Sequence, residues 1–205
     1  MAQRKVIGLG LNRTGTGTLR AALEVLGYPH YRFQPAMMQA WARGDMAALI
    51  AESHRHDVLA DLPWPMAFRE LYQAHGDVAL YVLTTRADAD AWIASQKAHT
   101  ERTGPETRAN LWTYGHAYPH GVEAQYRQAY DRHNADVRGF FAGRHCFLDL
   151  CWERGDGWEA ICGALGRPEP TKPFPHQNAS ADSRRDPDRV AANRAAIRRQ
   201  INGLT

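Results

Sequence analysis

The segment that most constrains this chain runs from Lys5 to Gly27: an apolar stretch KVIGLG, a loop LNRTGTGT and then LRAALEVLG. Val6 to Leu9 reads as a buried strand. Leu19, Ala22, Leu23 and Leu26 recur at i, i+3, i+4 and i+7, which is one face of a helix, and Gly27 follows as its stop. Between the two, Gly10, Gly15 and Gly17 permit a tight turn whose successive N–H groups point at an anion on the helix N-terminus. Thr14, Thr16 and Thr18 add hydroxyl groups, and Arg13 adds a permanent charge whose forked donors match phosphate or sulfate oxygens. A Gly-rich turn without a ligand is the alternative, and it has no need of an arginine and three threonines. A strand, such a loop and a helix in immediate succession predict an α/β fold.

The rest of the chain repeats the alternation. Further strands are expected at Tyr28 to Phe33, Val58 to Asp61, Ala79 to Thr85 and Cys146 to Leu150, the third of these a near-continuous apolar run as in a strand covered on both faces. Helices are expected over Pro35 to Arg43, Met46 to Ser53, Pro65 to Ala74, Asp88 to His99, Tyr126 to Phe141 and Gly157 to Leu165, with a terminal one over 186–203 that starts at Asp186-Pro187. Residues 100–120, rich in turn formers and aromatics, read as a substrate-side loop or lid. Strands alternating with helices give a doubly wound, three-layer α/β/α domain over 1–205, with a parallel sheet of about four to five strands and its ligand beyond their carboxyl ends.

Which anion the loop holds is decided by what is missing. A nucleoside triphosphatase loop needs lysine directly after its second glycine and a hydroxyl after that for magnesium. Gly10 and Gly15 have the right spacing, but Thr16 stands in place of the lysine and Gly17 in place of the magnesium ligand. The basic residue has moved to Arg13, on the other side of the glycine.

The string Asn12-Arg13-Thr14-Gly15-Thr16-Gly17-Thr18-Leu19 resembles the loop of sulfotransferases that use 3′-phosphoadenosine 5′-phosphosulfate, PAPS, and in particular their bacterial P-loop branch. In that family Pro or Asn, a basic residue, Ser or Thr, Gly, two hydroxyl residues, any residue and Leu or Trp follow one another. Gly17 departs from the pattern. The resemblance implies that Asn12, Arg13, Thr14, Gly15, Thr16, Gly17 and Thr18 hold the 5′-phosphosulfate. The family's 3′-phosphate pair, an arginine after a strand and a serine eight residues on, is matched by Arg86 and Ser95, here nine apart; Trp92 keeps the family's bulky residue three before the serine, so one extra residue is expected near Ala87. Asp61-Leu62-Pro63 stands where related enzymes have a histidine before Leu-Pro, which implies Asp61 as the base and Arg13 as its catalytic partner on the sulfuryl group. A helix-capping aspartate before Pro63 is the plainer reading of Asp61. Phe174-Pro175-His176-Gln177-Asn178 resembles the family's late F-P-x-x-N, after which Arg184 and Arg185 are candidate 3′-phosphate contacts.

Taken together, the resemblance implies in-line transfer of a sulfuryl group from PAPS to a hydroxyl or amine of a small molecule, leaving adenosine 3′,5′-bisphosphate, with no metal. Two alternatives remain: a small P-loop kinase with Asp61 or Asp149 as a magnesium-linked acid, and a nucleotide-binding protein without turnover. A formal charge of +3 suits a polyanionic ligand and falls short of a nucleic-acid binder. Cys146, Cys151 and Cys162 lack metal or disulfide spacing and read as reduced, mostly buried thiols. With a strand from Val6 and no apolar run of membrane length, neither leader nor membrane is expected, and the location expected is cytoplasmic. The expected partners are a small-molecule acceptor and, as an open option, a second copy in a homodimer. Of ten histidines, the pair His54 and His56 is spaced for a metal without an evident third ligand. Trp112, Tyr114 and Tyr118 serve either to stack on an acceptor or simply to pack.

Overall fold

The computed structural model describes residues 3–31, 33–105, 108–175 and 186–202. The chain divides into two compact units, Met1–Ala87 with Asn134–Asn178, and Asp88–His133 with Ala179–Thr205.

The first unit is a parallel sheet of four strands in the order β2-β1-β3-β4, where β1 is Val6–Gly8, β2 Val58–Leu59, β3 Leu80–Thr84 and β4 Phe147–Leu150. Val6 and Ile7 pair with Val58 and Leu59 on one side, while Val6, Ile7 and Gly8 pair with Leu80, Tyr81 and Val82 on the other. Every residue of β3 is buried, as expected of the central run LYVLT. The connections are helical: α1 (Thr16–Val25), α2 (Pro35–Ala42) and α3 (Met46–Ser53) lead to β2, and α4 (Phe68–His75), entered through a 3₁₀ turn at Trp64–Ala67, leads to β3. After β4 comes a 3₁₀ turn at Trp152–Arg154, and then the helix Trp158–Leu165 closes the unit. Leu19, Ala22 and Leu23 of α1 pack on β1 and β3 in one core with Trp64, Leu71 and Phe141. This is a P-loop-like three-layer α/β/α arrangement.

Because the chain crosses from β1 to β2 on one side and then to β3 on the other, the strand order switches direction between β1 and β3. Open α/β sheets present a crevice for ligands at such a point.

The second unit is helical: α5 (Ala89–Thr103), α6 (Arg108–Tyr114), the first part of α7 (Glu123–Phe141) and, after α8 (the Trp158–Leu165 helix of the first unit), α9 (Pro187–Asn202). Trp92 is fully buried there, stacked on Tyr130 at 4.7 Å and flanked by Tyr114 and Tyr126. Asp186 caps α9, its Oδ1 accepting from the N–H groups of Asp188 and Arg189 at 3.1 Å. No helix among the described residues is long and apolar enough to cross a membrane.

Two expectations fail in detail. The described residues of the stretch Tyr28 to Phe33 form no strand: Tyr28 and Tyr31 are buried while Pro29 and His30 between them are exposed, a spacing of three that a strand's alternation cannot produce. Each tyrosine is instead an anchor, the Tyr28 hydroxyl donating to the Arg4 carbonyl at 2.8 Å and the Tyr31 oxygen accepting from the Trp64 indole at 2.6 Å. Residues 100–120 are in part helical, with α5 continuing to Thr103 and α6 following. Thr100 and Thr103 donate back to the carbonyls of Gln96 and His99, and Asn110 and Tyr114, one turn apart, are both buried.

Candidate functional site

All four strands of the first unit end at the crevice, and each delivers residues there. From β1 the chain enters the loop 10–15. Gly10 lies so close to β3 that a Cβ would collide with the Thr84 side chain and carbonyl. The loop is bolted to β3 by Thr14, whose fully buried hydroxyl donates to the Leu11 carbonyl at 2.6 Å and meets the Thr84 hydroxyl at 2.9 Å. Its backbone N–H also goes to Leu11 O. Thr14 therefore frames the loop, with its donors committed to the chain itself.

Gly15 has φ 94°, and a Cβ on it would strike the Trp152 indole. That indole, delivered by the turn after β4, donates to the Gly15 carbonyl at 3.1 Å. Trp152 in turn packs against Phe174 at 5.1 Å, so the first residue of the late Phe-Pro segment abuts the ring that holds the loop. Helix α1 then starts at Thr16 with no side-chain cap and no acidic residue in its first turn. A helix N-terminus of this kind carries partial positive charge and N–H groups directed along its axis, which suits an oxyanion.

Arg13 (φ 70°) and Asp61 (φ 71°) are the only two non-glycine residues of positive φ among the described residues. The left-handed region costs a residue with a Cβ about 1 kcal/mol, and such strain concentrates where a backbone is held for function. Asp61 follows β2, its Oδ1 accepting from the Leu62 N–H at 3.0 Å; the Leu62–Pro63 peptide is cis. Burial pushes the Asp61 carboxyl above its ordinary value, while the Leu62 N–H and the charges of Arg20 and Arg13 pull the other way without cancelling the rise. A partly desolvated carboxylate in this state is a stronger base than a surface one.

From β3 comes Arg86, whose guanidinium pairs with Glu153 at 2.5 Å. The adjacent Ala87 N–H donates to the other Glu153 oxygen at 2.7 Å, and Arg154 donates to the Ala87 carbonyl at 2.9 Å. Ala87, near which the extra residue of the Arg86 to Ser95 spacing is expected, is thus gripped on both sides by the turn after β4. Asp149, by contrast, is exposed on β4 and paired with Arg138 through both oxygens, at 2.6 and 3.2 Å.

Residues 5–183 match the family model described as a sulfotransferase domain. The chain belongs to the sulfotransferase domain family. A curated relative, the Ava biosynthesis cluster protein M of Aspergillus versicolor, is 26% identical, the match covering 84% of this chain and 80% of that protein. Within this sulfotransferase domain the structure gathers Asn12 to Thr18, Asp61 and Arg86 at the carboxyl ends of adjoining strands. Ser95 lies in α5, in the second unit, and is half-buried. Arg184 and Arg185, with the remainder of the F-P-x-x-N segment from His176, lie outside the described residues.

Sequence reasoning missed four participants: Thr84, Trp152, Glu153 and Arg20. The first three act only because strands distant in sequence end side by side. Arg20, one turn into α1, donates to the Tyr31 carbonyl at 3.2 Å and acts on Asp61 through its charge. Its signal was a basic residue beside the apolar stripe of the loop helix. The histidine pair dissolves into local contacts, His56 with Glu52 at 2.8 Å and His54 against the His75 ring at 4.7 Å. Among the described residues no three His, Cys, Asp or Glu side chains converge so as to hold a metal.

Proposed function

We infer that this sulfotransferase domain moves a sulfuryl group from PAPS to a hydroxyl or amine of a small-molecule acceptor. The observation that carries the reading is the pairing of strain and chemistry: the two residues assigned to catalysis, Arg13 and Asp61, are, among the described residues, the two non-glycine ones held in the left-handed region, and burial makes the second a better base.

When bound, PAPS would supply an activated sulfuryl group that gains negative charge on its oxygens as it transfers. The residues present fit such an anion, since the α1 N-terminus has neither side-chain cap nor competing acid. Arg13 and the N–H groups of Gly15 to Thr18 would bind and stabilise that charge without reorganising. Asp61 would take the proton of the acceptor hydroxyl or amine, a role its raised affinity for protons supports. Arg86 would hold the nucleotide's 3′-phosphate, together with Ser95 and with Arg184 and Arg185. Its bond to Glu153 uses part of a five-donor guanidinium and fixes the direction of the rest. Thr14 and Trp152 would keep the loop in its binding shape. The Asp149 carboxylate, turned to Arg138, gives no support to a magnesium-dependent kinase.

Calorimetry with adenosine 3′,5′-bisphosphate and with ATP, on wild type and Arg86→Ala, tests the donor. The bisphosphate should bind more tightly than ATP, and Arg86→Ala should weaken it roughly tenfold or more, the weight of one charge-assisted hydrogen bond. Equal affinity for ATP together with an inert Arg86→Ala would overturn the reading.

A further inference from the structure

The second unit contains a cavity of about 770 Å³ between α6, the 115–122 loop and the end of α9. That volume is in the range of about 300–1,000 Å³ usual for small-molecule sites. Leu111, Val122 and Ile201 give it apolar walls, and Arg199 and His120 bring polar groups to it. No Asp or Glu lines it, and Arg199 has no acidic partner among the described residues. Leu111 is left 48% exposed in this lining, a large apolar side chain that a closed core would cover.

The walls are held by bonds that leave the interior alone. Tyr118 donates to the Gln200 side chain at 2.7 Å and Tyr126 to the His116 carbonyl at 2.9 Å. Asn193 donates to the Glu101 carbonyl at 2.8 Å, while the Glu101 carboxylate is taken up by Arg194 at 2.7 Å and by His120 Nε2 at 3.3 Å. The two acids beside the lining are thus both paired, Glu101 in this way and Glu123 with Lys97 at 2.5 Å and the Gly121 N–H at 3.2 Å, and the buried His120 Nδ1 has no partner among the described residues. Gly121, at φ 79°, keeps the loop against Ile201, whose side chain would stand 3.7 Å from a Cβ there.

We propose that this cavity binds a small amphiphilic anion, a compact apolar body carrying one negatively charged group that pairs with Arg199. The apolar walls match the body, and a cation without a competing acid matches the charge. The site lies wholly in the second unit and does not depend on the sulfuryl-transfer reading.

The probe is 1-anilinonaphthalene-8-sulfonate, titrated by fluorescence against the full chain without nucleotide, beside its uncharged analogue N-phenyl-1-naphthylamine. Saturable binding of one dye per chain is expected. Val122→Trp, which fills the cavity, should weaken both probes at least about tenfold. Arg199→Glu should weaken the sulfonate roughly fivefold or more and leave the neutral probe unchanged, while Arg199→Lys retains most of the affinity. Circular dichroism checks the fold, and if Val122→Trp fails to fold, the exposed Arg199 variants decide. Non-saturable binding, wild-type affinity in both variants, or loss of the dye as the chain self-associates in sedimentation would overturn the proposal.

Discussion

The two ends of the parallel sheet treat their charged groups in opposite ways. At the amino ends of the strands, Arg4 donates to the carbonyls of Val78, Ala79, Asp77 and Ala164 at 3.0–3.3 Å, and the Lys5 ammonium reaches the carbonyls of Ser53 and His56. There the Ser53 hydroxyl meets the His75 imidazole at 2.7 Å. These polar groups close on the chain itself and hold helices to strands. At the carboxyl ends, a helix begins without a cap, Arg13 and Asp61 sit in a strained backbone conformation, and a carboxyl is pushed up by burial. One end is saturated and the other is poised, which is the asymmetry expected when parallel strands aim all their following loops at one edge.

The asymmetry of the two ends rests most heavily on Asp61. Asp61→Asn should lower the transfer rate by about 10²- to 10⁴-fold while leaving the affinity for adenosine 3′,5′-bisphosphate within a factor of about two, measured by kinetics and calorimetry. Stability should move the other way. A carboxyl whose affinity for protons is raised on folding binds more protons in the native state, so stability falls as pH rises from its unfolded toward its folded value. Above that window the wild type carries the cost of a buried charge, and Asp61→Asn should melt no lower than wild type at neutral pH. A lower melting temperature there would mean that Asp61 serves the fold.

Gly10→Ala should destabilise by about 3 kcal/mol in urea unfolding, since its Cβ meets the Thr84 side chain and backbone together. At the saturated end, Arg4→Met should cost about 2 kcal/mol in the same measurement, through carbonyls left without a donor, and leave the rate of transfer unchanged. A fall in rate would show that the amino end is not purely structural. The smallest effect concerns His75, which burial holds at about 4, below the ordinary 6.5. The native state then binds fewer protons than the unfolded one between those values, so stability is lost as pH falls from about 6.5 to about 4. His75→Gln should flatten that loss in melting curves taken across the window.

The strand, loop and helix of residues 6–25 were legible because each element announces itself locally: a buried apolar run, glycines with hydroxyls, and a helical stripe. The other strands were legible for the same reason, and the sheet's four strands fall within the expected number. Tyr28 to Phe33 was misread because two buried aromatics three apart mimic a strand until their partners, Arg4 and Trp64, are in place. The stretch 100–120 was misread because its burial is set by helices around it. That Arg13, Asp61 and Arg86 follow strands could be read from the sequence, and those strands adjoin in the sheet. The commitment of Thr14 to the loop, and the parts played by Thr84, Trp152 and Glu153, could not.

Sequence alone determined the alternating elements, the glycine- and threonine-rich loop between the first strand and helix, and its lack of the lysine that triphosphate chemistry needs. These depend on residue type and spacing within one or two turns of chain, which is the range over which a sequence is its own environment. Tertiary structure decided which strands adjoin, that Gly10 has no room for a side chain, that Arg86 is steered by Glu153, and that Asp61 is a partly buried carboxyl under the charges of Arg20 and Arg13. Those properties depend on what lies across the crevice, often 70 or more residues away, and the proton affinity of a carboxyl is set by that surrounding and not by its neighbours in the chain.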